Sequence, residues 1–99
     1  MTASEELIRA AARQQRYLTR DNMDLLEIEA SGVREKSLSI WSRHLTVEPG
    51  GAFCGTGRLK FDLLDAEGRV VGQSSCMAQF SGVVDATAAT VHSVAVEEI

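Results

Sequence analysis

The 99-residue chain has little of what most function classes require. No stretch pairs a positively charged start with an apolar core, and no apolar run is long enough to cross a bilayer, so neither a signal peptide nor a spanning helix is expected. No basic run exists either. The ten Lys and Arg are spread along a chain of net charge −4, which argues against nucleic acid, because phosphate binding needs a concentrated positive face. The two histidines, His44 and His92, have no second ligand at metal spacing, so no metal or cofactor site is expected. Cys54 and Cys76 are the only cysteines. They fall on opposite pleat parities of a predicted sheet, which disfavours a disulfide and matches a reducing, cytoplasmic compartment.

What is present is strand periodicity. From Ala52 onward, Phe53, Gly55, Gly57, Leu59, Phe61 and Leu63 share one parity, while Cys54, Thr56, Arg58, Lys60 and Asp62 share the other. A pleated backbone would separate an apolar face from a polar one. Asp65-Ala66-Glu67-Gly68 supplies a turn through an Asx bond and a glycine able to take positive φ. The return arm carries Val70, Cys76, Ala78, Phe80 and Val84 on one side and runs to Val84. A hairpin of this kind is marginal alone and forms one wall of a core.

Upstream, Thr2 and Glu5 have the spacing of a capping box, and the residues to Thr19 read as a helix. Leu7, Ala11, Gln14 and Leu18 form its thin apolar stripe, with Arg9, Arg13, Arg16 and Arg20 mostly away from it. Asp24 to Val33 alternates as a strand, with Leu26, Ile28 and Ala30 on one face. A second strand is expected from Ser37 to Glu48. Its apolar parity switches between Ile40 and Trp41, for which a bulge, a bend or two-sided burial would account, and a bend near Trp41 fits best. Pro49-Gly50-Gly51 is a turn. Beyond Val84 the sequence suits an ordered loop and a short strand over Val91 to Val96. The prediction is one α+β domain over residues 1–99: an N-terminal helix, then a four- to five-stranded antiparallel sheet. A chain this short buries a limited core, so a homo-oligomer is expected.

The stretch CMAQFSGVV, with Cys76, Gln79, Gly82, Val83 and Val84, resembles the last long strand of the SecB family of export chaperones. Arg58 to Leu64 resembles the strand before it and Asp24 to Val33 the family's first strand, while the Thr2–Thr19 helix resembles that of SecB-like chaperones associated with toxin and antitoxin systems. The resemblance implies a four-stranded antiparallel sheet with helices on one side, assembly as a dimer of dimers, and ATP-independent binding of unfolded or nascent polypeptide. The family continues into C-terminal helices that have no counterpart in this sequence.

No catalytic constellation stands out, and the expectation leans away from an enzyme. Val71, Met77 and Val83 lie opposite the presumed core, an apolar surplus of the kind that marks binding surfaces. Trp41, Phe53, Leu59, Phe61, Met77 and Phe80 are the candidate client-binding residues. The rival reading is a small-molecule or enzymatic pocket enclosed by a curved sheet, with Tyr17, Glu27, His44 or His92 as its polar groups. A third is an assembly or adaptor protein.

Overall fold

A computed structural model describes residues 2–99. Helix α1 spans Ala3–Arg13, and the Thr2 hydroxyl accepts from the Glu5 N–H at 3.1 Å, as the capping spacing predicts. The helix stops six residues before Thr19. Tyr17 and Leu18 turn into the core instead, and the Glu35 carboxylate takes up their N–H groups at 3.1–3.4 Å. The Tyr17 hydroxyl donates to the Ala12 carbonyl at 2.7 Å, which also accepts from the Gln15 N–H at 3.3 Å, so the end of the helix is tied to the core. The inward face of α1 is Ile8, Arg9 and Ala12 rather than the expected Leu7–Ala11 stripe.

The segment expected as a first strand is not one. A second helix, α2, runs over Arg20–Leu25, capped by Thr19, whose hydroxyl accepts from the Asn22 N–H at 3.4 Å. A turn through Glu27 at φ 55° follows. Leu26 is buried and Ile28 half-buried because a helix end and a turn point both at the sheet, an alternation that mimics a pleat.

Strand β1 spans Gly32–Ile40, with a bulge at Lys36. The expected break at Trp41 is present, so the predicted Ser37–Glu48 strand is interrupted: a short 3-10 turn over Ser42–His44 separates β1 from β2, Thr46–Val47. Strand β3 (Ala52–Leu64), strand β4 (Val70–Val84) and strand β5 (Ala89–Glu97) complete an antiparallel sheet ordered β1-β3-β4-β5, with β2 beside β3 beyond the end of β1. The fold is therefore α+β, with a five-stranded sheet.

The central hairpin forms as its periodicity demands. Asp65 Oδ1 accepts from the Glu67 and Arg69 N–H groups at 2.9 Å, and Gly68 takes φ 79°. The β4–β5 turn repeats the device, with Asp85 Oδ1 accepting from the Thr87 and Ala88 N–H groups at 2.8 and 2.9 Å. Phe53, Leu59, Phe61, Cys76, Ala78, Phe80 and Val96 face inward, where α1, Tyr17, Leu18 and Leu26 join them in one core cluster. Gly55 belongs to that inward row because a side chain there would strike the Phe80 ring. The helices lie on this face alone, with α1 packed chiefly on β5 and more lightly on β4 and β1. The opposite face of the sheet is bare.

Candidate functional site

Of the six residues expected to bind clients, four are core. Phe53, Leu59, Phe61 and Phe80 are each at most 4% exposed, under the helices, and no partner reaches them while the fold is intact. Trp41, 37% exposed, and the half-buried Met77 are the two that reach the surface, both on the side of the sheet away from the core cluster.

The residues proposed for a small-molecule pocket do not converge. Tyr17 is buried with its hydroxyl already bonded, Glu27 forms an exposed turn, and His44 and His92 are exposed on the 3-10 turn and at the β5 bulge. A depression of about 660 Å³ is an open cleft between the α2 region and the start of β1. Another, of about 420 Å³, is an open groove lined by Lys36, Lys60, Gln73 and Ser75. Neither is an enclosed cavity. Among the described residues no three His, Cys, Asp or Glu side chains gather as metal ligands.

The thiols differ sharply. Cys54 is exposed, whereas Cys76 is buried, and desolvation, reinforced by the Glu35 charge, raises its pKa to about 11. Burial thus disfavours the thiolate that nucleophilic chemistry needs. Because the folded-state value lies above that of a free thiol, the contribution to stability is complete at neutral pH and is lost as pH rises through about 11. One of the two thiols is expected to react with a chromogenic disulfide within minutes at pH 8, and the second only after denaturation. Equal native reactivity of both would contradict the burial of Cys76.

Asp62 has a role that the sequence reading missed. It sits on the bare face, yet its side chain is only 2% exposed, because Arg34 bonds it at 2.9 Å and Lys36 approaches to 4.0 Å. The Arg34 hydrogen bond, against the cost of burial and with help from the Lys36 and Arg34 charges, holds its carboxyl below the ordinary value. The register that pairs Arg34 with Asp62 follows from β1 starting at Gly32, a start hidden by the false strand before it.

Nor did the sequence show how the two sheet edges differ. A free strand edge is a row of unpaired N–H and C=O groups, a template for another chain. On β1 the edge is guarded. The Arg13 guanidinium donates to the Leu38 carbonyl at 3.3 Å and the Arg9 guanidinium to the Ile40 carbonyl at 3.2 Å, so residues four apart on a helix cover carbonyls two apart on a strand. Arg9 is only 8% exposed and also donates to the Ser42 hydroxyl at 2.9 Å. On β5 the edge is open. Among the described residues, neither loop backbone nor side chain bonds its outer side, and the nine-residue strand contains neither proline nor lysine.

No family model matches the chain, and no curated protein or solved structure is similar to it at a significant level. The arrangement itself therefore bears on function: a sheet covered on one face, with two carbonyls of one edge capped by arginines and the other edge uncapped among the described residues.

Proposed function

We propose that this chain is a chaperone-like protein that holds extended apolar segments of unfolded or nascent polypeptides, without nucleotide and in the manner its SecB resemblance implies. The observation that carries the reading is the contrast between the edges: Arg9 and Arg13 cap two carbonyls of β1, whereas along β5, paired to β4 on one side only, the outward-facing backbone groups have no such cap among the described residues. A client would join β5 as a further antiparallel strand, its main chain supplying hydrogen bonds that every sequence possesses. Its alternate side chains would extend the inward row of Val91, Val94 and Val96, and each Å² of apolar surface withdrawn from water would contribute about 25 cal/mol. The ordering of an extended chain opposes this gain, so micromolar rather than nanomolar binding follows. The described helices include none long and apolar enough to cross a membrane, and the working environment proposed is the cytoplasm.

The test pairs two measurements. Light scattering of an aggregating client is expected to fall when this protein is added at stoichiometric amounts. A nine-residue apolar peptide is expected to bind at least about tenfold more tightly than the same peptide with alternate amides N-methylated, since methylation removes the donors that strand addition uses. Unchanged scattering together with equal binding of the two peptides would eliminate the proposal.

A further inference from the structure

Every residue of β4 from Val70 to Val84 is uncharged, although alternate residues of the strand face the bare side of the sheet. That row, Gln73, Ser75, Met77, Gln79, Ser81 and Val83, is flanked by two strands of opposite character. In the cross-strand line Ser39–Arg58–Met77–Glu97, the cation stands one strand to one side of Met77 and the carboxylate one strand to the other. Arg58 and Glu97 are both exposed, and among the described residues neither has an ion-pair partner within 4.0 Å.

We infer that this face packs against the same face of a second copy, about a two-fold axis running parallel to β4. Such an axis brings each β4 residue onto its own counterpart and each β3 residue onto a β5 residue. Met77 meets Met77 of the partner subunit, Gln79 and Ser81 meet their own copies, and Arg58 meets the partner's Glu97. No like charges are opposed along the centre. The hydroxyls of Ser81 and Ser93 already bond each other at 2.6 Å within the face, so their burial leaves neither unsatisfied. Lys60 lies in the next line, Ser37–Lys60–Ser75, beyond the end of β5, and stays solvated at the rim. Sheets stacked in this way lie about 10 Å apart.

The dimensions agree. The chain exposes 6285 Å², where a compact monomer of its size exposes about 5,500 Å². Its radius of gyration is 14.5 Å, against about 12.6 Å for a compact chain of this length. The excess is close to the roughly 800 Å² that each partner gives to an interface of standard size. Four strands about 4.8 Å apart, over some 30 Å of their length, give the bare face roughly 600 Å², so two of them reach the floor for a specific contact. An acidic peptide or a nucleic acid is a poorer occupant. The cations Arg34, Lys36, Arg58 and Lys60 share the face with the carboxylates Asp62 and Glu97, and the outward row of its central strand carries no aromatic ring to stack a base.

Sedimentation equilibrium between about 5 and 200 µM tests this. The native chain is expected to be dimeric at the upper concentrations. Met77→Lys, which sets two ammonium groups against each other at the axis, is expected to weaken the dimer by about 100-fold, with the circular dichroism of the monomer unchanged. Arg58→Glu alone is expected to weaken it by about tenfold, and adding Glu97→Arg to restore it to within about threefold. A monomer at 200 µM, a dimer indifferent to Met77→Lys, or a charge swap that fails to restore would each overturn the inference; the second would move the contact to the β5 edge. Because the β5 edge remains outside this interface, Met77→Lys should still bind the nine-residue peptide, so failure here and failure of the chaperone reading are separable.

Discussion

Replacing Phe61 with alanine is expected to cost about 3–5 kcal/mol, the usual range for deleting a buried phenyl ring. Phe61 is 2% exposed toward the end of the inward row of β3, held between β1 and β4 with Leu26 and Ile28 beside it on the inner side. Relaxation into the gap is limited, because the neighbouring inward groups Leu59, Cys76 and Ala78 are fixed by a 13-residue ladder between β3 and β4. A domain this small has total stability of about 5–15 kcal/mol, so the variant should lose much of its margin. Urea titration followed by the fluorescence of the single tryptophan, Trp41, gives the number. Val71→Ala is the control: at 65% exposure it should change stability by less than about 0.5 kcal/mol. A Phe61→Ala loss below about 1 kcal/mol would mean that the inward row is not the core.

That the core could be read from the sequence follows from the strand period. Phe53, Leu59, Phe61, Ala78 and Phe80 alternate with polar residues, and a period of two admits one interpretation when an Asx turn joins two such runs. The Trp41 bend was legible for the same reason, as a break in parity. The N-terminal third was not. Thr2 to Thr19 has good helical composition throughout, but Tyr17 and Leu18 leave the helix for a partner 17 or 18 residues away, Glu35, which no local pattern reveals. Leu26, Ile28 and Ala30 alternate by coincidence of a helix end and a turn, and the error displaced β1 by several residues. With β1 displaced, the Arg34–Asp62 pair had no register in which to appear. The candidate site suffered most. Aromatic residues at strand period mark a core and a binding face equally well, and only three-dimensional burial separates Phe53, Leu59, Phe61 and Phe80 from Trp41 and Met77. The guarding arginines looked like the wet side of a helix, because their acceptors lie 25 and 31 residues further along the chain.

Those arginines lead to the second large effect, on association more than on stability. Arg9→Met with Arg13→Met is expected to leave the unfolding free energy within about 1–2 kcal/mol of the native value. Neither arginine has a carboxylate within ion-pair range among the described residues, so the change strands no opposite charge, and the methionine side chain keeps much of the packing of the arginine stem. The Leu38 carbonyl is released from a part-buried contact and the Ile40 carbonyl from a buried one, and the loss of the latter bond sets the upper end of that range. What changes is the number of open edges. With two of its carbonyls capped, β1 is the less receptive edge, β5 is the favoured one, and two copies meeting through β5 exhaust each other. With both edges open, the β1 of one copy can join the β5 of the next, a head-to-tail contact that does not close and so extends without limit. The double variant is therefore expected to scatter light progressively at concentrations at least about tenfold below those at which the native chain stays clear, whereas Arg9→Lys with Arg13→Lys, which keeps a donor at each position, should behave more like the native protein. Loss of more than about 3 kcal/mol of stability without association would show that the two side chains brace the fold and do not guard its edge.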